Sequence, residues 1–440
     1  MQATPSSSAA TDRGTLASST ARRQSAQLRW SLMGGVTLAL SYLIALTLQH
    51  VGWATPLFGQ TVLWCALPFG LSAHWIYRGA NLPAAERTSL LLVSTVTPFL
   101  LLLLGFALLQ KPFSRGAVLL VYLLSTAWFI MGDKRYHRHT VQKLYYLDPG
   151  VPALLAQLCG SEELRRKDIE LMPWTDDGNE ALEFAAIAGI VLDRRGPPSD
   201  WRSQLLGRLK LLHVRLYSAE AVAELLTGRK MLPTDHDELW QLDGNPAYDV
   251  AKRSMDLALV LLTLPLWLPM CVLVGIAVKL DSSGPVLFSQ IRVGRNGYSF
   301  RLWKFRSMRH ETEPQPARFA QVSDDRITRV GRFIRRSRLD ELPQLWNVLR
   351  GHMSLIGPRP EQTQFVQAFA TRIPAYTYRH LVRPGLTGWA QMQQGYAGSE
   401  EETVVKLSYD LYYVEHYSMA LDLLIISKTI RTVLTGFGAR

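Results

Sequence analysis

Two adjacent carboxylates, Asp340 and Glu341, follow a stretch rich in arginine: Arg326, Arg329, Arg332, Arg335, Arg336 and Arg338 all precede them closely. A carboxylate pair in such surroundings has two chemical uses. Mg²⁺ is held by one or two carboxylates together with phosphate oxygens, and an aspartate can attack phosphorus as a nucleophile. Asp340 also has a plain structural use. Leu342, Leu345, Trp346 and Leu349 form an apolar stripe at helical spacing, and Gly351 is a natural helix stop. Pro343 would fall in the first turn, where proline is tolerated. That puts Asp340 at the N-cap, where its carboxylate would accept bonds from free backbone N–H groups. A helix start also attracts anions, so capping and phosphate chemistry both stay open on these residues alone.

Positioning such a pair needs a scaffold, and the neighbouring segments supply one. Val286 to Gly294 and Tyr298 to Met308 alternate between apolar and polar residues and meet at Arg295, Asn296 and Gly297. Asn-Gly between alternating runs predicts a β-hairpin. Its second arm carries Lys304 and Arg306. From Arg326 to Arg336, Ile327, Val330, Phe333 and Ile334 recur at helical spacing with arginines filling most of the rest. That is a basic amphipathic helix suited to an anionic membrane surface.

Upstream, Leu257 to Val278 carries no charge and is long enough to cross a bilayer. Pro265 and Pro269 interrupt it, each removing a helix hydrogen bond. Lys252 and Arg253 precede it and Lys279 follows it. Positive charge on both sides fits a helix that enters, breaks and returns to one face. A proline-kinked crossing is the other reading.

Four apolar stretches lie nearer the N-terminus: Trp30 to Leu48, Thr61 to Tyr77, Ser89 to Leu109 and Gly116 to Met131. Trp30, Trp53, Trp64, Trp75 and Trp128 lie near their ends, as interfacial aromatics do. His74 reads as an end-of-span polar residue. Arg22, Arg23 and Arg29 before the first stretch, and Lys134, Arg135 and Arg138 after the fourth, place both ends of this region in the cytoplasm. Residues 1–27, rich in Ser, Ala, Thr and Gln, read as a disordered tail. Between the fourth stretch and the proline-broken run, Lys143 to Leu147 and Ala186 to Asp193 read as strands. Ser199 to Lys210 and Ala219 to Gly228 read as helices, making a small α/β unit. No G-x-G-x-x-G motif follows its first strand, so no dinucleotide site is expected.

Composition narrows the class. The chain has 440 residues, 48% of them hydrophobic and 19% charged, with a net charge of +12. That balance suits nucleic acid, anionic lipid or a phosphorylated substrate. Nucleic acid is disfavoured because no basic and aromatic stacking pattern is present. Cys65, Cys159 and Cys271 are far apart and suggest neither zinc nor a disulfide framework.

Several motifs together resemble the bacterial sugar transferase family, the monotopic phosphoglycosyl transferases acting on polyprenyl phosphate. They are Lys252-Arg253-x-x-Asp256, Ser283 to Val286, Gln290-x-Arg292-x-Gly294, Lys304 to Met308, Val330 to Arg335 and Leu339 to Gln344. Met353 to Pro360, Arg383 to Gly388 and Asp410 to Val414 complete them in order. With four spans and a soluble insert, the chain is similar to the family's large form, whose members initiate exopolysaccharide, capsule or O-antigen synthesis.

The resemblance implies transfer of hexose-1-phosphate from a UDP-sugar to undecaprenyl phosphate, with UMP released. It makes Asp340 the nucleophile that forms a phosphosugar intermediate, and Glu341 an acid/base partner or, with Asp340, a Mg²⁺ ligand. Lys304, Arg306, Arg338 and Arg359 become the groups that neutralise the pyrophosphate. The broken helix becomes re-entrant, with Pro265, Leu268 and Pro269 at its break. Leu268 stands where the family often has serine, and His352 where it often has an acidic residue.

The architecture expected is a membrane α-helical N-terminal bundle of four spans over residues 28–135, then a small α/β cytoplasmic insert over 141–245, degenerate and Rossmann-like. An α+β catalytic domain over 250–440 follows, with a re-entrant membrane helix and interfacial amphipathic helices. The expected location is the bacterial inner membrane, multi-pass, with the catalytic domain cytoplasmic. Expected partners are the UDP-sugar, undecaprenyl phosphate, membrane lipids, downstream glycosyltransferases and a second copy of the chain. The competing reading is a membrane-anchored scaffold that binds lipid phosphate without catalysis; UMP release separates the two.

Overall fold

The fold comes from a computed structural model. It describes residues 29–36, scattered positions up to 47, and 55–78, 87–137, 142–160, 169–174, 189–193, 200–211, 214, 216–232, 246–309, 326–394 and 399–435. The tail over 1–27 lies outside these. The chain forms two compact units, Met1–Gly228 and Arg229–Arg440.

In the first unit, residues 29–36 are helical. Four helices follow: α1 (Pro56–Trp64), α2 (Ala66–Arg78), α3 (Arg87–Leu108) and α4 (Arg115–His137). The second apolar stretch is therefore longer than its hydropathy suggested and is split at Cys65. Pro68 explains the split, because it has no N–H to give the Trp64 carbonyl one turn back. Helices α3 and α4 contain segments long and apolar enough to cross a membrane, Leu91–Leu108 and Arg115–Arg135. Their contacts are those of a membrane bundle. Val62, Phe99, Phe106, Val118 and Val121 pack inward, while Leu100, Leu101, Leu119, Leu120, Leu123 and Leu124 point outward. Trp30 and Trp128 stack at 4.5 Å, and each indole N–H donates to the other residue's carbonyl, at 3.2 and 3.1 Å. Where lipid replaces water, such packing and bonding hold helices together.

The insert is a four-stranded, fully parallel sheet in the order β2-β1-β3-β4. Its strands are β1 (Gln142–Tyr146), β2 (Ile169–Pro173), β3 (Gly189–Leu192) and β4 (Leu216–Ser218). Helices α5 (Val151–Cys159), α6 (Asp200–Leu211) and α7 (Ala219–Thr227) complete it. Neither β2 nor β4 was expected: β4 has only three residues, and β2 ends on Pro173, a residue that weakens a strand reading. The reversal of strand order lies between β1 and β3, where doubly wound folds open their ligand crevice. Here Asp148, just past β1, fills that place. It accepts the Asp193 N–H at 2.9 Å and pairs with both Arg202 nitrogens at 2.5 and 3.0 Å.

The second unit begins at Arg229, ahead of the expected start at 250. Lys230 pairs with Glu415 at 2.7 Å, and Leu232 packs on the Ile373, Tyr376, Leu407 and Leu411 core. Helix α8 (Pro246–Leu262) leads into α9 (Leu264–Asp281), the third helix with span-like length and hydropathy. Strands β5 (Leu287–Val293) and β6 (Ser299–Phe305) form the expected hairpin. Its turn needs positive φ at Asn296 (54°) and Gly297 (78°), which the Asn-Gly pair tolerates. Because strand side chains alternate, the hairpin presents different residues to two layers. Phe300 and Leu302 join Val260, Leu345, Val348 and Met353, whereas Phe305 joins Val274, Val278 and Ile334.

Next come α10 (Arg329–Arg336), a 3-10 turn (Leu339–Glu341), α11 (Gln344–Leu349), β7 (Ser354–Ile356) and α12 (Thr363–Ala370). A second 3-10 turn (Tyr376–Leu381), β8 (Gly385–Thr387), α13 (Trp389–Gln393), α14 (Glu400–His416) and α15 (Met419–Thr435) complete the unit. Strands β7 and β8 pair in parallel, and the loops beyond them touch backbone to backbone. A Cβ on Gly357 would lie 2.3 Å from the Arg383 carbonyl oxygen, so no other residue fits there.

Candidate active site

Asp340 and Glu341 sit in the 3-10 turn between α10 and α11. The capping expectation is corrected: Pro343, not Asp340, occupies the N-cap of α11. The turn ends where the proline lets the α-helix begin, which leaves Asp340 clear of the capping role. Arg338 enters the turn at φ 56°, a left-handed conformation that reverses the chain after α10. Leu345 is buried as the stripe predicts, but Trp346 lies exposed with the Arg350 guanidinium 5.2 Å from its ring centre.

Two of the expected cations converge on Glu341. Arg359 Nη2 donates to Oε1 at 2.8 Å, and Lys304 Nζ lies 3.4 Å from the same oxygen. Lys304 comes from the hairpin and Arg359 from the loop after β7, so the site exists only when these segments fold together. Burial opposes ionisation of Glu341, but Arg359 and Lys304 outweigh it and hold the carboxyl at about 2. Asp340 goes the other way. Burial, reinforced by the Glu341 charge, pushes it up to about 6 against the pull of Lys304, Arg359 and Arg335. Neighbouring carboxylates driven apart in this way have different tasks available. Glu341 is a fixed anion; Asp340 is ionised at neutral pH yet more basic than an ordinary carboxylate. Arg338 also favours the charged form of Glu341.

Arg306 does not join them. Its buried guanidinium donates to the Ser283 carbonyl at 2.8 Å and to the Ser282 carbonyl and hydroxyl at 2.7 and 2.9 Å. A cation there satisfies the carbonyls at the C-terminal end of α9 and complements the helix dipole. The phosphate role expected for Arg306 is therefore corrected to a structural one. Other motif charges work similarly. Arg253 donates to the Val348 and Leu349 carbonyls at 2.6 and 2.9 Å, closing the end of α11. Lys252 and Tyr248 meet buried Asp422, tying α8 to α15. Asp256 accepts the Leu355 N–H at 3.2 Å.

The helix break is also displaced. It lies at Thr263, before Pro265, and α9 runs on through Leu268 and Pro269. Pro265 sits in the first turn of α9, where its missing N–H leaves the Leu261 carbonyl without a helical donor. Sequence reasoning missed Trp267, whose indole N–H reaches back to the Val260 carbonyl at 3.0 Å, and Thr263, whose hydroxyl donates to Leu259 at 2.7 Å. The indole gives the Val260 carbonyl a donor at the break, while the Leu259 carbonyl accepts the Thr263 backbone N–H at 3.0 Å as well as its hydroxyl. Outward-facing Leu266 is 74% exposed and Leu280 83%. The end of α9 is joined to α10: Asp281 accepts the Val330 N–H at 3.0 Å, and Gly331 lets α10 approach Ser307 closely. The basic helix is thus held against the apolar one, with Phe333 66% exposed. His352 is exposed and lies 5.8 Å from the Phe300 ring.

A transferase lineage agrees with this geometry. Residues 247–436 match the profile described as bacterial sugar transferase, spanning the carboxylate pair, both cations and the broken helix. Beyond that region, the chain is 38% identical over 375 residues to the UDP-N-acetylgalactosamine-undecaprenyl-phosphate N-acetylgalactosaminephosphotransferase of Aeromonas hydrophila. That alignment covers 84% of this chain and 86% of the relative. The chain belongs to the bacterial sugar transferase family. This sugar transferase is also 41% identical over 191 residues to the UDP-glucose:undecaprenyl-phosphate glucose-1-phosphate transferase of Caulobacter vibrioides, covering 43% of the chain and 72% of the relative. To a putative undecaprenyl-phosphate N-acetylgalactosaminyl 1-phosphate transferase of Bacillus subtilis it is 48% identical over 132 residues, or 30% of the chain and 74% of the relative. The enzyme is a transferase, and the homology to the Aeromonas protein extends across much of the first unit as well.

Proposed function

We propose that the enzyme moves a sugar-1-phosphate from a UDP-sugar to undecaprenyl phosphate through a covalent phosphosugar on Asp340. The observation that carries this reading is the opposite displacement of the two carboxyl groups. Asp340, near 6, is the basic and ionised partner; Glu341, near 2, is pinned by Arg359 and Lys304. An Asp340 oxygen attacks the sugar-bearing phosphorus, a P–O bond forms, and the bridging P–O bond breaks with its electron pair leaving on UMP. An oxygen of the lipid phosphate then attacks the same phosphorus, and the bond to Asp340 breaks to restore the carboxylate. Arg359 and Lys304 are placed to meet the charge on the equatorial oxygens in both steps.

Mg²⁺ fits the donor set. Two adjacent carboxylates offer hard oxygen ligands, and Asp340 holds its proton abnormally well without a cation. Asp340 and Glu341 would hold it with pyrophosphate oxygens, and when bound it would neutralise charge developing on the departing UMP phosphate.

The membrane arrangement follows the same logic. The break at Thr263, the Trp267 bond to the Val260 carbonyl across it and the outward apolar faces of α9 support a helix that enters the bilayer and returns, keeping the site cytoplasmic. With the apolar stretch from Trp30 to Leu48, the split helix α1–α2 and helices α3 and α4 read as four crossings in a bacterial inner membrane. The likeness to the Aeromonas protein, over 84% of this chain and 86% of the relative, favours a UDP-N-acetylhexosamine donor over UDP-glucose. Purified enzyme mixed with each donor and no lipid tests both points: UMP should appear once per enzyme, fastest with the N-acetylhexosamine. UMP that appears only when lipid is added would count against the covalent route.

A further inference from the structure

Arg359 projects from a loop whose backbone is bonded on every side. Three consecutive carbonyls are held by other segments. The Arg359 carbonyl accepts from Arg379 Nη2 at 3.0 Å, the Pro360 carbonyl from Arg292 Nη1 at 3.0 Å, and the Glu361 carbonyl from the Val293 N–H at 3.0 Å. On the other side of Arg359, Pro358 accepts the Gly385 N–H at 2.9 Å. Pro358 and Pro360 fix their own φ angles, so little freedom remains in the loop.

The two arginines are themselves anchored. Buried Arg379 also donates to Asp410 at 2.7 Å and to the Tyr376 hydroxyl at 3.0 Å. Arg292 donates to Gln290 at 2.7 Å. Both guanidinium groups lie near the Glu361 carboxylate, at 3.7 and 3.9 Å, and Lys406 pairs with it as well. Burial works against a charged Glu361, yet Lys406 and Arg379 hold it ionised at about 2. So many buried charges in one place cost desolvation energy that a plain apolar core would avoid. The loop could be held with less. What the cluster adds is direction: backbone bonds to its members leave the Arg359 side chain as the part of the loop that reaches Glu341.

We infer that Arg292 and Arg379 are positioning residues that clamp the backbone on either side of Pro360 and so aim the Arg359 guanidinium at Glu341 and the donor phosphate. The inference rests on the phosphate role proposed for Arg359. Neither arginine touches the reacting atoms; each acts through Arg359. Arg292 comes from the hairpin that also carries Lys304, so one β-ribbon sets both cations of the site.

The test is a double-mutant cycle on the full-length enzyme in detergent, reading the rate of the UMP burst with UDP-sugar and no lipid. Arg359→Gln and Arg292→Gln should each slow the burst by about a hundredfold, the scale expected when a catalytic group is misplaced by an ångström. In the Arg359→Gln background, Arg292→Gln should change the rate no further. Arg292→Lys, which can still reach the Pro360 carbonyl, should recover most of the loss. Arg379→Lys serves as a second arm, since it keeps a cation beside Asp410. It too should be silent once Arg359 is gone. If Arg359→Gln alone leaves the burst unchanged, the role of Arg359 falls and the clamp with it. If Arg359→Gln slows the burst but Arg292→Gln and Arg379→Lys multiply that loss in full, Arg359 keeps its role and the clamp is overturned.

Discussion

Arg359 and Glu341, eighteen positions apart in the chain, share a hydrogen bond of 2.8 Å between Nη2 and Oε1. The bond fixes a buried anion beside Asp340 and leaves the rest of the guanidinium fork for a phosphate. Arg359→Lys keeps the charge but loses the planar fork. Because Arg359 faces the phosphoryl group in both displacements, kcat/KM should fall by about 10²-fold for the donor and for the lipid alike, the scale of removing one preorganised donor. Steady-state kinetics with each substrate varied in turn checks this; an unchanged kcat/KM for either substrate would contradict it.

Asp340 must be ionised to attack, and burial with the Glu341 charge puts its carboxyl at about 6. Activity should therefore fall as the pH drops through about 6, and Mg²⁺ should move that limb to lower pH by favouring the carboxylate. Stability should respond with opposite signs at the two residues. Glu341 is depressed from 4.5 to about 2, so its contribution is complete above 4.5 and is lost as the pH falls towards 2. Asp340 is raised from 3.8, so its ionisation costs stability as the pH rises through 6. Asp340→Asn should thus stabilise the protein at pH 8 relative to wild type. Thermal melts at pH 5 and pH 8 read this; a variant less stable at pH 8 would contradict it.

Arg306 should matter to the fold and not to the chemistry. Arg306→Gln removes charge-assisted bonds to Ser282 and Ser283 and should cost about 2 kcal/mol of stability. The folded fraction should keep a UMP burst close to that of wild type. A well-folded but inactive Arg306→Gln would return this residue to the active site.

The contrast between Arg306 and Lys304 shows what the sequence could reveal. They sit two apart in the sequence, Lys304 on β6 and Arg306 just past its end, and their motif gave no reason to separate them. Lys304 meets Glu341; Arg306 lies where α9 ends and its carbonyls need a cation. Only the packing of helix ends on the hairpin makes that distinction. The hairpin turn, the amphipathic α10 and the apolar α9 were legible because each is a local pattern. Asn296 and Gly297 even specify the turn conformation. The break at Thr263 was not legible, since proline draws attention to itself whereas the carbonyls it frees lie one turn earlier. Arg379 carried no signal at all, because its role depends on a backbone carbonyl twenty positions away. The capping expectation for Asp340 failed for a local reason: Pro343 starts α11 later than the apolar stripe suggested.

The helix pair α8 and α9 yields a topology test. Val250→Cys and Pro285→Cys, made singly in a background lacking Cys65, Cys159 and Cys271, should both react with an impermeant thiol reagent from the cytoplasmic face. Labelling from opposite faces would turn the segment into a crossing and place Asp340 on the far side of the membrane. Trp267→Phe removes the bond to Val260 and should cost about 1 kcal/mol, read as a lower melting temperature in detergent.

The central claim is a covalent bond between Asp340 and the sugar-bearing phosphorus. Wild-type enzyme mixed with UDP-sugar and Mg²⁺, without lipid, then digested and examined by mass spectrometry, should show a sugar-phosphate adduct on the peptide containing Asp340. The adduct should disappear when undecaprenyl phosphate is added and never form in Asp340→Asn. An active enzyme that forms no adduct, with kinetics requiring both substrates bound at once, would contradict the account and leave Asp340 as a metal ligand only.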